Sequence, residues 1–135
     1  MKTVTKTRYV SDYEYEATNS QGLKVKIDMK DQGKADQSPM ELVLSALSGC
    51  VAVEVALMIK KRRKTLVDFV IEAEGTRRDE TPKYYTDIHL KFILTSPDAN
   101  EEELKKVTKL SLEKYCSVAS SLKANITFST EVVRS

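Results

Sequence analysis

Apolar and polar residues alternate with a period of two over the first third of the chain. The alternation covers Lys2–Tyr9, Tyr13–Thr18 and Leu23–Met29, and the polar turn Asn19–Gly22 separates the last two of these segments. A period of two places every second side chain on the same face of a β-strand. We therefore predict three strands in a β-meander that has one buried face.

A long apolar helix is predicted after this meander. Ser38, Pro39 and Glu41 form the pattern of a helix N-terminus, with Ser38 as the N-cap and Glu41 as its capping-box partner. The helix is expected to end near Lys61. Its residues are apolar on nearly every side as far as Ile59, so we expect most of its surface to be buried, in part against a second subunit.

The second half of the chain contains strands and helices in blocks. The predicted strands are Leu66–Glu74, Tyr84–Thr95 and Ala124–Val133, with Gly75–Lys83 as a charged hairpin loop. The order of elements is βββ-α-ββ-α-α-β. Such blocks favour the α+β class, with a largely antiparallel sheet, and we expect one domain over residues 1–135.

Two helices are predicted between the last two strands. Asn100 is the expected N-cap of the longer one, with Glu103 as its capping-box partner. A short helical turn is expected from about Ser117 to Leu122. The residues predicted to form the apolar stripe of the longer helix are Leu104, Val107, Leu110 and Tyr115.

The composition is that of an ordinary globular protein, with 41% hydrophobic and 31% charged residues among 135. A net charge of +2 is too small to favour nucleic acid or a membrane surface as the main partner. We assign the basic run Lys60–Lys64 to the helix end, where it complements the helix dipole.

The stretch Leu42–Ile59 is apolar enough to raise the question of a membrane span, but Glu54 interrupts it and we interpret it as a core helix. The first residues lack the apolar region of a signal peptide, so we expect a cytoplasmic location.

Two cysteines lie 66 positions apart, each on a predicted helix: Cys50 and Cys116. Incidental burial is one interpretation, because free cysteines often act as small buried hydrophobes. A structural disulfide is less expected in a chain without a signal peptide. Two cysteines and the single His89 match no zinc-site spacing. The remaining interpretation is that the fold brings the two thiols together for redox chemistry.

The two cysteine segments and the order of elements resemble the OsmC/Ohr family, the osmotically inducible protein C and organic hydroperoxide resistance proteins. Ser38-Pro-Met-Glu-Leu-Val-Leu-Ser-Ala-Leu-Ser-Gly-Cys50 is similar to that family's Pro-x-Glu-Leu…Ala…Cys helix, and Cys116-Ser-Val-Ala119 is similar to its second-cysteine segment. The resemblance covers nearly the whole chain. It implies an OsmC-like fold, in which antiparallel sheets wrap around a long central helix, and an intertwined homodimer.

The activity that this resemblance implies is thiol-dependent reduction of organic hydroperoxides and hydrogen peroxide. Cys50 would be the peroxidatic thiol and Cys116 the resolving thiol. An external dithiol would then reduce the resulting disulfide. The expected partners are a second copy of the chain, a small peroxide and that dithiol, with no nucleic acid, membrane, metal or cofactor.

The resemblance also implies groups that support the first cysteine, an Arg from the loop between early strands and a Glu just after the Pro that opens the helix. Met40 follows Pro39 in this chain, and the segment Val10–Leu23 contains no Arg or Lys. A reactive cysteine needs a nearby cation to favour the thiolate. The candidate supporting residues are Arg8, Arg77, Arg78, Glu41 and Glu54, the last being four positions after Cys50 and on the same helix face.

Two hypotheses follow. The first is an OsmC-like peroxidase that uses Cys50 and Cys116. The second is a non-catalytic OsmC-like dimer that binds a small ligand or senses redox state, in which Cys50 is redox-sensitive or inert. The cysteine pair favours the first hypothesis, and the lack of the usual Arg favours the second.

Overall fold

The computed structural model describes all 135 residues, which divide into two compact units, Met1–Val43 and Leu44–Ser135. The predicted order of helices and strands is confirmed, with one additional π-helical turn. The elements are β1 (Thr5–Ser11), β2 (Glu14–Asn19), β3 (Lys24–Asp28), α1 (Pro39–Lys61), β4 (Asp68–Arg77), β5 (Tyr85–Thr95), α2 (Glu101–Leu110), the π-helical turn (Ser111–Tyr115), α3 (Ser117–Ser121) and β6 (Asn125–Val133).

The first unit contains the predicted meander as an antiparallel sheet in the order β1-β2-β3. The expectation of a buried apolar face is wrong for the single chain. Tyr9 is 59% exposed and Val25 is 49% exposed, and the only fully buried side chain of this unit is that of Asp28. The alternation therefore identified the strands correctly, whereas the chain by itself does not cover their apolar side chains.

Asp28 organises the loop between β3 and α1. Its carboxylate accepts hydrogen bonds from the backbone N–H groups of Lys30 and Ala35, both at 2.9 Å, and lies 3.6 Å from the Lys30 ammonium. The hydrogen bond from Ala35, followed by that from Lys30, lowers the pKa of Asp28 below its ordinary value. A buried carboxylate with these partners is held in its charged form and fixes the path of the loop.

The second unit is built on a sheet in the order β4-β5-β6. The β4–β5 pair is antiparallel, as predicted, but β6 runs parallel to β5 because the helices between them carry the chain back to the other end of the sheet. Alternate residues of β5 point into the core, and the fully buried ones are Ile88, Leu90, Phe92 and Leu94.

The β4–β5 hairpin is longer than predicted. The expected loop Gly75–Lys83 is shortened because β4 continues to Arg77, with Gly75 opposite Ile88 in the register. A Cβ atom on Gly75 would lie 2.3 Å from Cε1 of Tyr85. The missing side chain at this position therefore leaves the room that the buried Tyr85 ring occupies.

The helix α1 begins with the predicted capping box. The Glu41 N–H donates to the Ser38 hydroxyl at 3.3 Å, and the Ser38 N–H donates to the Glu41 carboxylate at 3.0 Å. The helix has one fully buried stripe, formed at a spacing of four by Leu47, Val51, Val55 and Ile59.

Most of α1 is not buried within the single chain, contrary to expectation. Val53 is 59% exposed and Leu57 is 53% exposed. By length and composition alone α1 is long and apolar enough to cross a membrane, with 22% of its most apolar window buried; the core helix of a soluble protein meets the same criterion. The uncovered face of α1 is the largest departure from the expected burial.

The helix α2 has the predicted capping box between Asn100 and Glu103. Its apolar stripe is only partly as predicted: Leu104 and Val107 are buried, whereas Leu110 and Tyr115 are exposed. At 100° per residue, the positions that share a face with Leu104 and Val107 are those of Thr108 and Ser111, and both of these are fully buried.

Candidate functional site

The two cysteines belong to different helices of the second unit. Cys50 is half-buried on α1, next to the buried Val51, and Cys116 is 1% exposed between the π-helical turn and α3. Both thiols are free. The fold places them close enough for the Cys50 thiol to act on the pKa of Cys116, although 66 positions separate them in the sequence.

The pKa of the Cys116 thiol is raised above its ordinary value. Burial is the largest cause, and the hydrogen bond with the Cys50 thiol is the second. Both causes favour the protonated form of the Cys116 thiol. The N–H of Ala119 acts in the opposite direction, because it donates to the sulfur. Cys116 is therefore held as a protonated thiol next to Cys50.

The backbone around Cys116 is fixed by a change of helix type. The Cys116 N–H donates to the Ser111 carbonyl at 2.9 Å, which closes the π-helical turn. Cys116 itself is extended, with φ −81° and ψ 103°, and is the N-cap of α3. Its sulfur accepts the Ala119 N–H at 3.3 Å, the bond that an Asp or Ser side chain makes in a typical N-cap.

Sequence reasoning missed two buried hydroxyls in the segment that leads to Cys116. Thr108 Oγ1 and Ser111 Oγ are buried and have no hydrogen-bond partner. An unpaired buried hydroxyl costs about 1–3 kcal/mol. Their burial could have been predicted because Thr108 and Ser111 share the helix face of Leu104 and Val107. The predicted stripe counted only apolar residues and therefore omitted both.

The candidate supporting acids have different surroundings. Glu41 completes the capping box with Ser38 and lies 3.9 Å from the Lys34 ammonium. The hydrogen bond from the Ser38 N–H is the main cause that lowers the pKa of Glu41. Glu54 is half-buried on α1, one turn beyond Cys50, without an ion pair or hydrogen bond in the chain. Glu41 thus has a structural role that accounts for its position.

Two of the three candidate cations hold the β4–β5 hairpin. Arg77 Nε donates to the Lys83 carbonyl at 2.6 Å, and Arg78 Nε donates to the Pro82 carbonyl at 2.8 Å. The Arg78 guanidinium also lies 4.4 Å from the centroid of the Tyr84 ring. Arg8 lies on the exposed strand β1, opposite Glu16.

His89 lies on the exposed face of the second sheet. Its ring nitrogens are 2.7 Å from the Thr127 hydroxyl and 3.0 Å from the Ser129 hydroxyl. No group of three or more His, Cys, Asp or Glu residues is arranged to hold a metal ion. Because its partners Thr127 and Ser129 belong to β6, the His89 ring links β5 to β6 through side-chain hydrogen bonds.

A surface cavity of about 500 Å³ lies along α2. It is lined by charged side chains, among them Arg62, Lys105 and Lys109, and by neither cysteine. This cavity is therefore separate from the thiol pair, and its charged lining does not suit an apolar ligand.

Comparison with known proteins gives consistent matches over the chain. The family model described as OsmC-like protein matches residues 29–131. Protein YhfA of Escherichia coli is 37% identical over 130 residues, which cover 95% of this chain and 96% of YhfA. A hypothetical protein from Aquifex aeolicus, known from its crystal structure, has a TM-score of 0.87 at 29% identity and covers 100% of this chain and 98% of its own. The organic hydroperoxide resistance protein OhrB of Bacillus subtilis has a TM-score of 0.63 at 15% identity, over 98% of both chains, and shares the fold.

Proposed function

The chain belongs to the family of OsmC-like proteins, and from that premise we propose that it is a peroxidase that reduces organic hydroperoxides or hydrogen peroxide with Cys50 and Cys116. The observation that carries the proposal is the proximity of two free thiols that lie 66 positions apart in the sequence. A name that includes hydroperoxide resistance, carried by a protein of the same fold, supports the same chemistry.

Cys50 is the thiol proposed to attack the peroxide. It is the more exposed of the two, and only the thiolate is nucleophilic. The Cys50 thiolate attacks one peroxide oxygen, the O–O bond breaks, and the alkoxide leaves and takes up a proton to become an alcohol. Cys50 is thereby oxidised to a sulfenic acid, while the peroxide is reduced.

Cys116 is proposed to resolve the sulfenic acid. Its sulfur attacks the Cys50 sulfur, water leaves, and a disulfide joins the two residues. Because the two thiols are neighbours in the fold, the second step competes with further oxidation by a second peroxide. An external dithiol then returns both cysteines to thiols and is itself oxidised to a disulfide.

The proposal includes the assembly and the location. The apolar face of α1, which carries Val53 and Leu57, is exposed in the single chain, and a second copy of the chain is the partner that we propose for it. We also propose the cytoplasm as the location, where thiols are kept reduced at rest.

The cation that activates Cys50 is proposed to come from Arg8, Arg77 or Arg78, with the partner copy as a further source.

A ligand-binding or redox-sensing protein is the second candidate. The observation that favours it is that the Arg77 and Arg78 guanidinium groups donate to carbonyls of the β4–β5 hairpin. Such a protein would keep the fold but react with peroxide no faster than a free thiol.

Peroxide consumption separates the two candidates. With a dithiol as reductant, the wild type should consume an organic hydroperoxide much faster than an equal concentration of a free thiol. Cys50→Ser should reduce the rate to the background, whereas Ser48→Ala, a change close to Cys50, should keep it. A wild-type rate equal to that of the free thiol would leave only the second candidate.

A further inference from the structure

The sulfur of Cys116 has two neighbours. One is the Cys50 thiol, and the other is the Ala119 N–H, which donates to the sulfur at 3.3 Å so that Cys116 is the N-cap of α3. A disulfide requires a sulfur–sulfur distance of about 2.05 Å, much shorter than the separation of two unbonded thiols. A shift of the Cys116 sulfur towards Cys50 and away from α3 would lengthen its 3.3 Å bond to the Ala119 N–H.

The helix α3 has little besides this cap to hold it. It is five residues long, Ser117–Ser121, and none of its residues is buried. A helix of this length is not stable by itself. The segment that leads into it is a π-helical turn, with the hydroxyls of Thr108 and Ser111 unpaired and buried, so the region before Cys116 is already costly to keep folded.

Resting on the proposed peroxidase function, we propose that formation of the Cys50–Cys116 disulfide removes the cap of α3 and opens the segment after Cys116, so that the reducing dithiol attacks the sulfur of Cys116. In the reduced state that sulfur is unreachable, since Cys116 is 1% exposed. Opening of α3 uncovers it only when there is a disulfide to reduce. Oxidation thereby exposes the atom on which reduction begins.

The electron balance of this step is complete. One thiolate of the dithiol attacks the Cys116 sulfur, the Cys50–Cys116 bond breaks, and Cys50 leaves as a thiolate that takes up a proton. The second thiol of the reductant then displaces the Cys116 thiol, and the dithiol is oxidised by two electrons to a cyclic disulfide.

Hydrogen exchange of residues 117–122 tests the loss of the cap. We expect the backbone amides of this segment to exchange about fivefold faster in the disulfide form than in the reduced form, the size expected for a lost N-cap. Reduced Cys116→Ala should show the same acceleration without any oxidation. Reduced Cys116→Ser should keep wild-type protection, because the Ser hydroxyl is a preferred N-cap. Equal exchange in the disulfide and reduced forms would overturn the proposal.

The disulfide is prepared in two ways, with one equivalent of hydroperoxide and with diamide, and is quantified by mass spectrometry. If diamide forms it and peroxide does not, the proposed function fails, and the diamide product still decides the question of α3. If neither oxidant forms it, both proposals are wrong.

The site of attack is tested on the same disulfide. The protein is treated briefly with 2-mercaptoethanol and quenched with acidic N-ethylmaleimide. We expect the mercaptoethanol adduct on Cys116 and the maleimide on Cys50. The reverse pattern would show that the reductant attacks Cys50 and would overturn the assignment.

Discussion

At the scale of single residues, the thiols of Cys50 and Cys116 differ in their surroundings more than in their chemistry. Cys50 is half-buried on a long helix, and Cys116 is buried at a change of helix type, with its pKa raised mainly by burial. A buried, protonated thiol is a poor first nucleophile but a well-placed second one. This difference is the physical basis for assigning the peroxide-attacking role to Cys50.

Removal of the resolving thiol should stop the reaction after its first step. In Cys116→Ser we expect one equivalent of hydroperoxide to leave Cys50 as a sulfenic acid, and excess peroxide to carry it to the sulfinic acid. Mass spectrometry of the intact protein measures the added oxygen atoms. In Cys50→Ser, the remaining Cys116 should stay unoxidised because it is buried, and rapid oxidation of Cys116 in that variant would reverse the two roles.

The three candidate arginines can be tested individually. If Arg8, Arg77 or Arg78 supplies the charge that activates Cys50, replacing that residue by Ala should slow peroxide reduction by about tenfold, or about 1.4 kcal/mol in the activation barrier. Initial rates of hydroperoxide consumption measure this effect. Unchanged rates in all three variants would exclude activation by these cations.

Asp28 should make the stability of the protein depend on pH. Its folded-state pKa lies below the ordinary value of 3.8, so its carboxylate contributes stability that is fully present above about 3.8 and is lost as the pH falls through the folded value. Asp28→Asn should therefore unfold at lower urea concentration than the wild type at pH 6, and the difference should shrink on acidification. Asp31→Asn, an exposed change in the same loop, is the control. If the stability difference between the wild type and Asp28→Asn did not change with pH, the proposed contribution of the Asp28 carboxylate would be wrong.

Residue patterns in the sequence identified both cysteines but not their surroundings. The two thiols at positions 50 and 116 were expected to meet, first as one interpretation of two distant cysteines on helices and then from the family resemblance. The residues around Cys116 did not predict its N-cap role, because Cys is not a preferred N-cap residue. Local rules also could not place Arg77 and Arg78, whose partners are carbonyls of a hairpin longer than the one predicted.

At the scale of elements, boundaries that depend on local chemistry were predicted well. The capping boxes of α1 and α2 both occur where Ser38 and Asn100 predicted them. The end of β4 was missed because charged residues suggested a loop, whereas cross-strand pairing extends the strand to Arg77. The π-helical turn was missed as well, because no local residue pattern specifies an i→i+5 hydrogen bond.

The hairpin provides a stability test at this scale. Gly75→Ala would place a methyl group 2.3 Å from the Tyr85 ring, and we expect a loss of about 1–3 kcal/mol in the free energy of unfolding, as for overpacked cores. Urea unfolding measures this loss. Thr76→Ala, an exposed change at the next position, should stay within about 0.5 kcal/mol. Equal stabilities for both variants would show that Tyr85 moves aside without cost.

At the scale of the whole molecule, the exposed apolar face of α1 predicts a homodimer. Light scattering should return about twice the chain mass of 15.2 kDa at micromolar concentration. Leu57→Lys places a charge on that face and should shift the protein to monomer, whereas Val70→Lys, on the exposed face of β4, should leave the dimer intact. A stable monomer for the wild type would contradict the assembly.

The measurement that tests the central claim most directly is a count of free thiols by mass spectrometry before and after one equivalent of hydroperoxide. The account predicts two free thiols before and none after, with a Cys50–Cys116 bridge inside one chain. Two free thiols after treatment would contradict it and leave an OsmC-like protein whose neighbouring cysteines do not react with peroxide.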